Sequence, residues 1–162
     1  ILRITPRSIL MPSSKKYIGI IGGSDIAPEL YSECVDIGKS IGSLGCPVIC
    51  GGLSGVMEAV SRGVKQADGL TVGLTPGDKK DANEFIDISI GTGIGISRNL
   101  MIIRNSDIII AIDGRYGTLS EIAFALQLNK PIIAYKSDWS EKLGLKSADS
   151  IEEIVKFIEE HL

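Results

Sequence analysis

The stretch Asp107-Ile108-Ile109-Ile110-Ala111-Ile112-Asp113-Gly114-Arg115-Tyr116-Gly117-Thr118-Leu119-Ser120-Glu121 decides the fold. Its first half is the most continuous apolar run in the chain, the pattern of a central parallel strand covered on both faces. Its second half is a glycine-rich turn opening a helix expected to point Leu119, Ile122, Ala123 and Leu126 inward. Strand, glycine turn and helix in that order aim unpaired backbone N–H groups at the space beyond the strand end, a place suited to an anion.

The same grammar recurs upstream. Residues 17–21 read as a first strand ending in Gly22-Gly23-Ser24-Asp25, and residues 48–50 as a second ending in Gly51-Gly52-Leu53-Ser54-Gly55. Between them Leu30, Cys34, Ile37, Ile41 and Leu44 fall at helical spacing; after them Val56, Val60, Val64 and Ala67 do the same. Further strands are expected over 70–74, 86–90 and 132–135, with helices over 97–104 and 150–160. Alternating strands and helices imply an α/β fold: a doubly wound, mostly parallel Rossmann-like sheet with helices on both faces and an expected strand order of 3-2-1-4-5-6. Residues 1–16 read as an N-terminal arm and 17–162 as a single Rossmann-like nucleotide-binding domain. Ligands of such sheets sit beyond the strand ends where the order reverses, so Ser24, 51–55, 91–98 and 114–121 are expected to line one crevice.

Composition narrows the partners. In 162 residues, 44% are hydrophobic and 23% charged, and the net charge is −3. No basic run interleaved with aromatics is present, which argues against nucleic acid. Cys34, Cys46 and Cys50 form neither a CxxC pair nor a secreted framework and read as buried small hydrophobes. No secretory signal and no apolar stretch of about 20 residues is found, so a cytoplasmic protein without a membrane partner is expected.

Two familiar nucleotide grips are missing. The first strand is followed by Gly22-Gly23-Ser24-Asp25 rather than GxGxxG, the second ends in Cys50-Gly51 rather than an acid, and no GxxxxGK[ST] occurs. NAD in its usual pose and a Walker-type ATPase are both disfavoured.

Particular residues then carry the reading. Gly51, Gly52 and Gly55 let the backbone approach a ligand, and Ser54 can cap a helix or donate to a phosphate. Gly114, Gly117 and Thr118 form the second turn. Thr118 and Glu121 match the capping box T-x-x-E, with Thr118 as N-cap and Glu121 at N3; a carboxylate there is expected to stay ionised, and it serves either the cap alone or a ligand. Arg98 opens a helix where the dipole disfavours a cation, so Glu121 or a ligand phosphate is expected to compensate it. Asn99 is a candidate for a base or ribose contact. Asp113 and Arg115 are compatible with mutual pairing, a subunit contact or ligand selection. Asp25 is compatible with a cap. His161 lies far from this rim, and no Cys/His/Asp cluster suggests a metal.

On these residues the chain resembles the Lonely Guy family and relatives that include the molybdenum cofactor carrier proteins. The family turn GGxxGxM is present at Gly51, Gly52, Gly55 and Met57, and its second turn, PGGxGTxxE, is matched at Gly114, Gly117, Thr118 and Glu121. Asp113 replaces the proline, Arg115 replaces the second glycine, and Ile96-Ser97 stands in the region of a Met-His pair. The segments TGxGxxRN, here Thr92 to Asn99 with Gly93, and GTLSE, here Gly117 to Glu121, are closer to the carrier branch. The resemblance implies binding or carrying of a phosphorylated nucleotide or pterin, the molybdenum cofactor or a nucleotide being the ligand and nothing being bound covalently. Its alternative is hydrolysis of the N-glycosidic bond of nucleoside 5'-monophosphates. It places Arg98 and Glu121 in catalytic roles. It assigns Gly22, Gly23, Ser24, Gly51, Gly52, Ser54, Gly55, Thr92, Gly93, Asn99, Gly114, Arg115, Gly117 and Thr118 to the ligand, and implies a homodimer or homotetramer. A pyridoxal-dependent decarboxylase is not implied, because no lysine stands where the Schiff base would form.

Overall fold

The computed structural model describes residues 15–162, so the expected arm, apart from Lys15 and Lys16, lies outside the described residues. Seven strands form one sheet: β1 (Ile18–Gly22), β2 (Val48–Cys50), β3 (Thr71–Thr75), β4 (Ile88–Gly91), β5 (Ile108–Ile112), β6 (Ile132–Tyr135) and β7 (Ser147–Ala148). Their order is β4-β3-β2-β1-β5-β6-β7 and every pairing is parallel. Among the described residues six α-helices accompany them: α1 (Pro28–Ser43), α2 (Val56–Gln66), α3 (Arg98–Arg104), α4 (Tyr116–Gln127), α5 (Trp139–Leu143) and α6 (Ile151–His161).

Successive strand residues point to opposite faces, so the apolar runs build two cores. Ile18, Ile20, Val48, Cys50, Ile108, Ile110 and Ile112 join Ile37 and Ile41 of α1, Val60 of α2 and Ile154 of α6. Ile21, Ile49, Ile109 and Ala111 join Ile102 and Ile103 of α3 and Ile122 and Ala125 of α4 on the other face. All five residues of β5 are inaccessible to solvent, as its unbroken apolar sequence requires. Burying each isoleucine stabilises the fold by about 1.5–3 kcal/mol relative to exposure. The three cysteines are free thiols within these cores. Among the described residues, no helix is long and apolar enough to cross a membrane.

The doubly wound class matches the sequence reading, but the fourth strand lies elsewhere. It is expected beside β1; instead β4 pairs outside β3, with Ile88 opposite Val72 and Gly91 opposite Thr75. Only a 3-10 turn at Lys79–Asp81 lies between β3 and β4, with no helix to carry the chain across the sheet. Ile88 and Ile90 are 47% and 44% exposed, which an edge tolerates and the doubly covered slot beside β1 does not. Local polar contacts hold the edge: the Asp87 carboxylate accepts from Thr71 N (3.0 Å) and pairs with Lys65 Nζ (2.7 Å), while Thr71 Oγ1 donates to Phe85 O (2.7 Å). With β4 at the edge, β5 lies beside β1, and the order reverses between these two strands.

The buried face of α4 also differs from the expected one. Thr118, Glu121, Ile122 and Ala125 are buried, whereas Ala123 and Leu126 are exposed. Two polar residues thus face inward, and apolar residues give up that position. The short strand β7 adds an edge that sequence periodicity does not signal.

Helices α1 and α2 meet at paired glycines. A Cβ on Gly63 would lie 1.9 Å from Val35 O, and one on Gly38 would lie 2.2 Å from Val60 O. Neither backbone can yield without separating the helices. Gly63→Ala is therefore expected to destabilise the fold by about 3 kcal/mol, read as a lower urea midpoint at unchanged m-value.

Candidate functional site

A cavity of about 440 Å³ opens beyond the C-terminal ends of β1 and β5. This is the crevice expected where the strand order reverses, and its volume lies in the range of small-molecule sites. Gly22, Gly23, Ser24 and Asp25 line it from the β1 turn, Arg98 and Asn99 from α3, and Asp113, Arg115, Gly117, Thr118 and Glu121 from the β5 turn and α4. Leu53, Met57, Pro76 and Ile96 supply apolar wall.

Arg98 forms the centre of the polar surface. It begins α3, yet is only 7% exposed. Its Nη1 donates to Asn99 Oδ1 (2.5 Å) and lies 3.9 Å from Glu121 Oε1, and its Nη2 donates to Gly51 O at 3.4 Å. Its Nε is buried and has no hydrogen-bond partner among the described residues. A lone buried donor of a charged group is costly, on the order of 1–3 kcal/mol or more. The absence of a side chain at Gly51 makes this placement possible, because a Cβ there would lie 2.6 Å from Nη2. Burial lowers the Arg98 pKa, while the nearby Glu121 carboxyl and Cys50 thiol oppose that shift.

Glu121 departs from both expectations made for it. Helix α4 begins at Tyr116 with Arg115 as the N-cap and no side-chain cap, so Thr118 occupies N3 and Glu121 lies in the second turn. The capping box is not formed. Glu121 is 6% exposed, and burial pushes its carboxyl up to about 8 against the opposing pull of Arg98. Burial thus favours its neutral form, where the sequence suggested a group that stays ionised. A cap would have held it near free amides; its actual place is desolvated instead.

The remaining sequence-derived candidates divide into surface and support. Asn99 joins α3 to α4 through Nδ2, which donates to Ser120 Oγ (3.1 Å). Gly51, Gly52, Ser54, Gly55, Gly114, Thr92 and Gly93 do not line the cavity. Ser54 Oγ donates to Ser24 O (2.9 Å) and Val56 N to Gly23 O (2.9 Å), so the first glycine turn braces the β1 turn with its own donors. Gly55 takes a left-handed φ of 66° to start α2. Gly114 O accepts from Trp139 Nε1 (3.1 Å). Thr92 Oγ1 donates to Thr75 O (2.7 Å) and Gly93 N to Gly77 O (3.1 Å), which anchors the loop leading to Arg98.

Sequence reasoning missed the brace Asn83, whose Nδ2 donates to Leu53 O (2.7 Å) and Gly52 O (3.2 Å). An asparagine in a polar loop carries no pattern that would have revealed it. It also missed Pro76 as a wall, for which the available signal was its position just after a strand end, whereas Ile96 falls within the segment 91–98 expected to line the crevice. His161 lies on α6, its Nδ1 2.7 Å from Phe157 O. Among the described residues, no group of three or more His, Cys, Asp or Glu is arranged to hold a metal ion.

Known proteins share this architecture. The chain is 33% identical to the molybdenum cofactor binding protein from the phototrophic bacterium Rippkaea orientalis, with a TM-score of 0.86 over 91% of this chain and 98% of that one. It is 28% identical to the molybdenum cofactor carrier protein from Chlamydomonas reinhardtii, with a TM-score of 0.83 over 90% and 97%. An uncharacterized protein of Archaeoglobus fulgidus is 42% identical over 119 residues, 74% of this chain and 79% of its own length. The family model described as SLOG cluster4 matches residues 15–160, and the chain belongs to the SLOG cluster4 family.

Proposed function

We propose that the protein binds or carries a small phosphorylated ligand of the nucleotide or pterin class, the molybdenum cofactor included, in the cavity between β1 and β5. The observation that carries this reading is Arg98, a buried guanidinium that lines a cavity of ligand size and whose Nε has no hydrogen-bond partner among the described residues. An anionic ligand in that cavity would offset the cost of burying the guanidinium charge. The first turn of α4 adds its free amides around Gly117 and Thr118. Gly22, Gly23 and Ser24 offer close backbone approach, and Leu53, Met57, Pro76 and Ile96 offer apolar surface for a ring system. The similarity to molybdenum cofactor binding and carrier proteins supports the same reading.

A second reading, N-glycosidic hydrolysis of nucleoside 5'-monophosphates, is favoured by one observation: a carboxyl titrating near 8 in the same cavity. In its neutral form Glu121 would act as a general acid. Its proton would pass to the departing base as the C1'–N bond breaks, water would add to C1', and a proton from that water would restore the carboxyl.

Removing the anchor separates binding from its absence. Arg98→Met is expected to weaken binding of AMP or of a phosphorylated pterin by about 10–100-fold in titration calorimetry, and to strip retained phosphorylated species from freshly purified protein in native mass spectrometry. Equal affinities in both proteins would defeat the reading. Release of free base from AMP by wild type, abolished in Glu121→Gln, would establish the hydrolase; a stable complex without release would exclude it.

The pH dependence follows from Glu121, which faces Arg98 from α3, Cys50 from β2, and the rim charges Asp25, Asp113 and Arg115. Its folded pKa of about 8 lies above its ordinary value of 4.5, so the folded chain holds the extra proton between these limits. This contribution to stability is full below about 4.5 and is lost as pH rises through about 8. Glu121→Gln is expected to melt several degrees above wild type at pH 9 and to lose that advantage at pH 5. Affinity for a phosphate ester should fall above pH 8 in wild type, as a second anion appears in the cavity, and stay level in Glu121→Gln.

A further inference from the structure

We infer that Arg115 sets the charge class of the ligand, selecting phosphomonoesters, which carry close to two negative charges at neutral pH, over phosphodiesters. This rests on the proposed function, because it concerns the lip of the same cavity. The β5–α4 turn is built to present this residue. Asp113 and Gly114 both take left-handed backbone, with φ of 51° and 98°, and Trp139 Nε1 from α5 fixes the turn through Gly114 O. Arg115 follows at the cavity lip as the N-cap of the 12-residue α4.

A cation is electrostatically misplaced there. The helix N-terminus is already positive, the first turn of α4 carries no acid, and no side chain caps it. Among the described residues, no ion pair or hydrogen bond engages the Arg115 side chain, although Asp113 is two positions away. A dianion reverses this unfavourable arrangement. It would meet Arg115 from the solvent side and the buried Arg98 from within, so two arginines from different elements line one cavity. The same lip carries Asp25 and Asp113. Without Arg115 these carboxylates would dominate it and repel a second phosphate charge, whereas a singly charged diester would lose less.

The test compares AMP and hydroxymethylpterin phosphate with the methyl diester of each, titrated calorimetrically at pH 7.5 into wild type, Arg115→Gln and Arg115→Lys. Wild type is expected to favour the monoester about tenfold, more strongly at low salt. Arg115→Gln should lose most of that preference, monoester affinity falling further than diester affinity, and Arg115→Lys should restore part of it. Unchanged preference in Arg115→Gln, in a protein that still depends on Arg98 for binding, would overturn this inference alone. Failure of wild type to bind any of the four probes would overturn the proposed function with it.

Discussion

The site depends on a guanidinium held inside the protein with one of its donors unused. Arg98 is positioned by Asn99, by the Gly51 carbonyl and by the nearby Glu121 carboxyl, and these come from three separate segments. None fully compensates it. The Glu121 contact is long, and burial favours the neutral acid. A well-packed interior seldom leaves a charged donor in this condition without a reason, and a cavity next to it supplies one.

The fold serves this arrangement through its strand order. Because β4 closes the edge beyond β3, β5 takes the place beside β1, and the turns that follow these two strands diverge over a shared opening. The loop after β4 is tied back to the end of β3 through Thr92 and Gly93, and so returns the chain to the start of α3 at Arg98. At the first glycine turn, Ser54 Oγ and Val56 N donate to the β1 turn, and Asn83 braces the glycine turn in its own right. The glycine turn supplies Leu53 to the cavity wall and, at Gly51, the space that admits the guanidinium. Preorganised shells of this kind hold a site more accurately than the lining residues could alone.

The sequence alone established most of the elements and their class. Unbroken apolar runs such as Ile108–Ile112 identify doubly covered strands, and glycine turns before amphipathic segments identify helix starts, because both signals are local. It also pointed to Arg98, Glu121, Thr118 and Gly117, which the structure brings to one cavity. Tertiary structure decided what local pattern cannot. Edge or centre for β4 depended on the short connection and on which neighbour offered cover. The inward face of α4 depended on polar residues that the cavity turns inward against their hydropathy. The protonation of Glu121 depended on desolvation by segments distant in sequence, which outweighed the nearby positive charge. Periodicity reports what a residue prefers, while burial and pairing set the charge that it can keep.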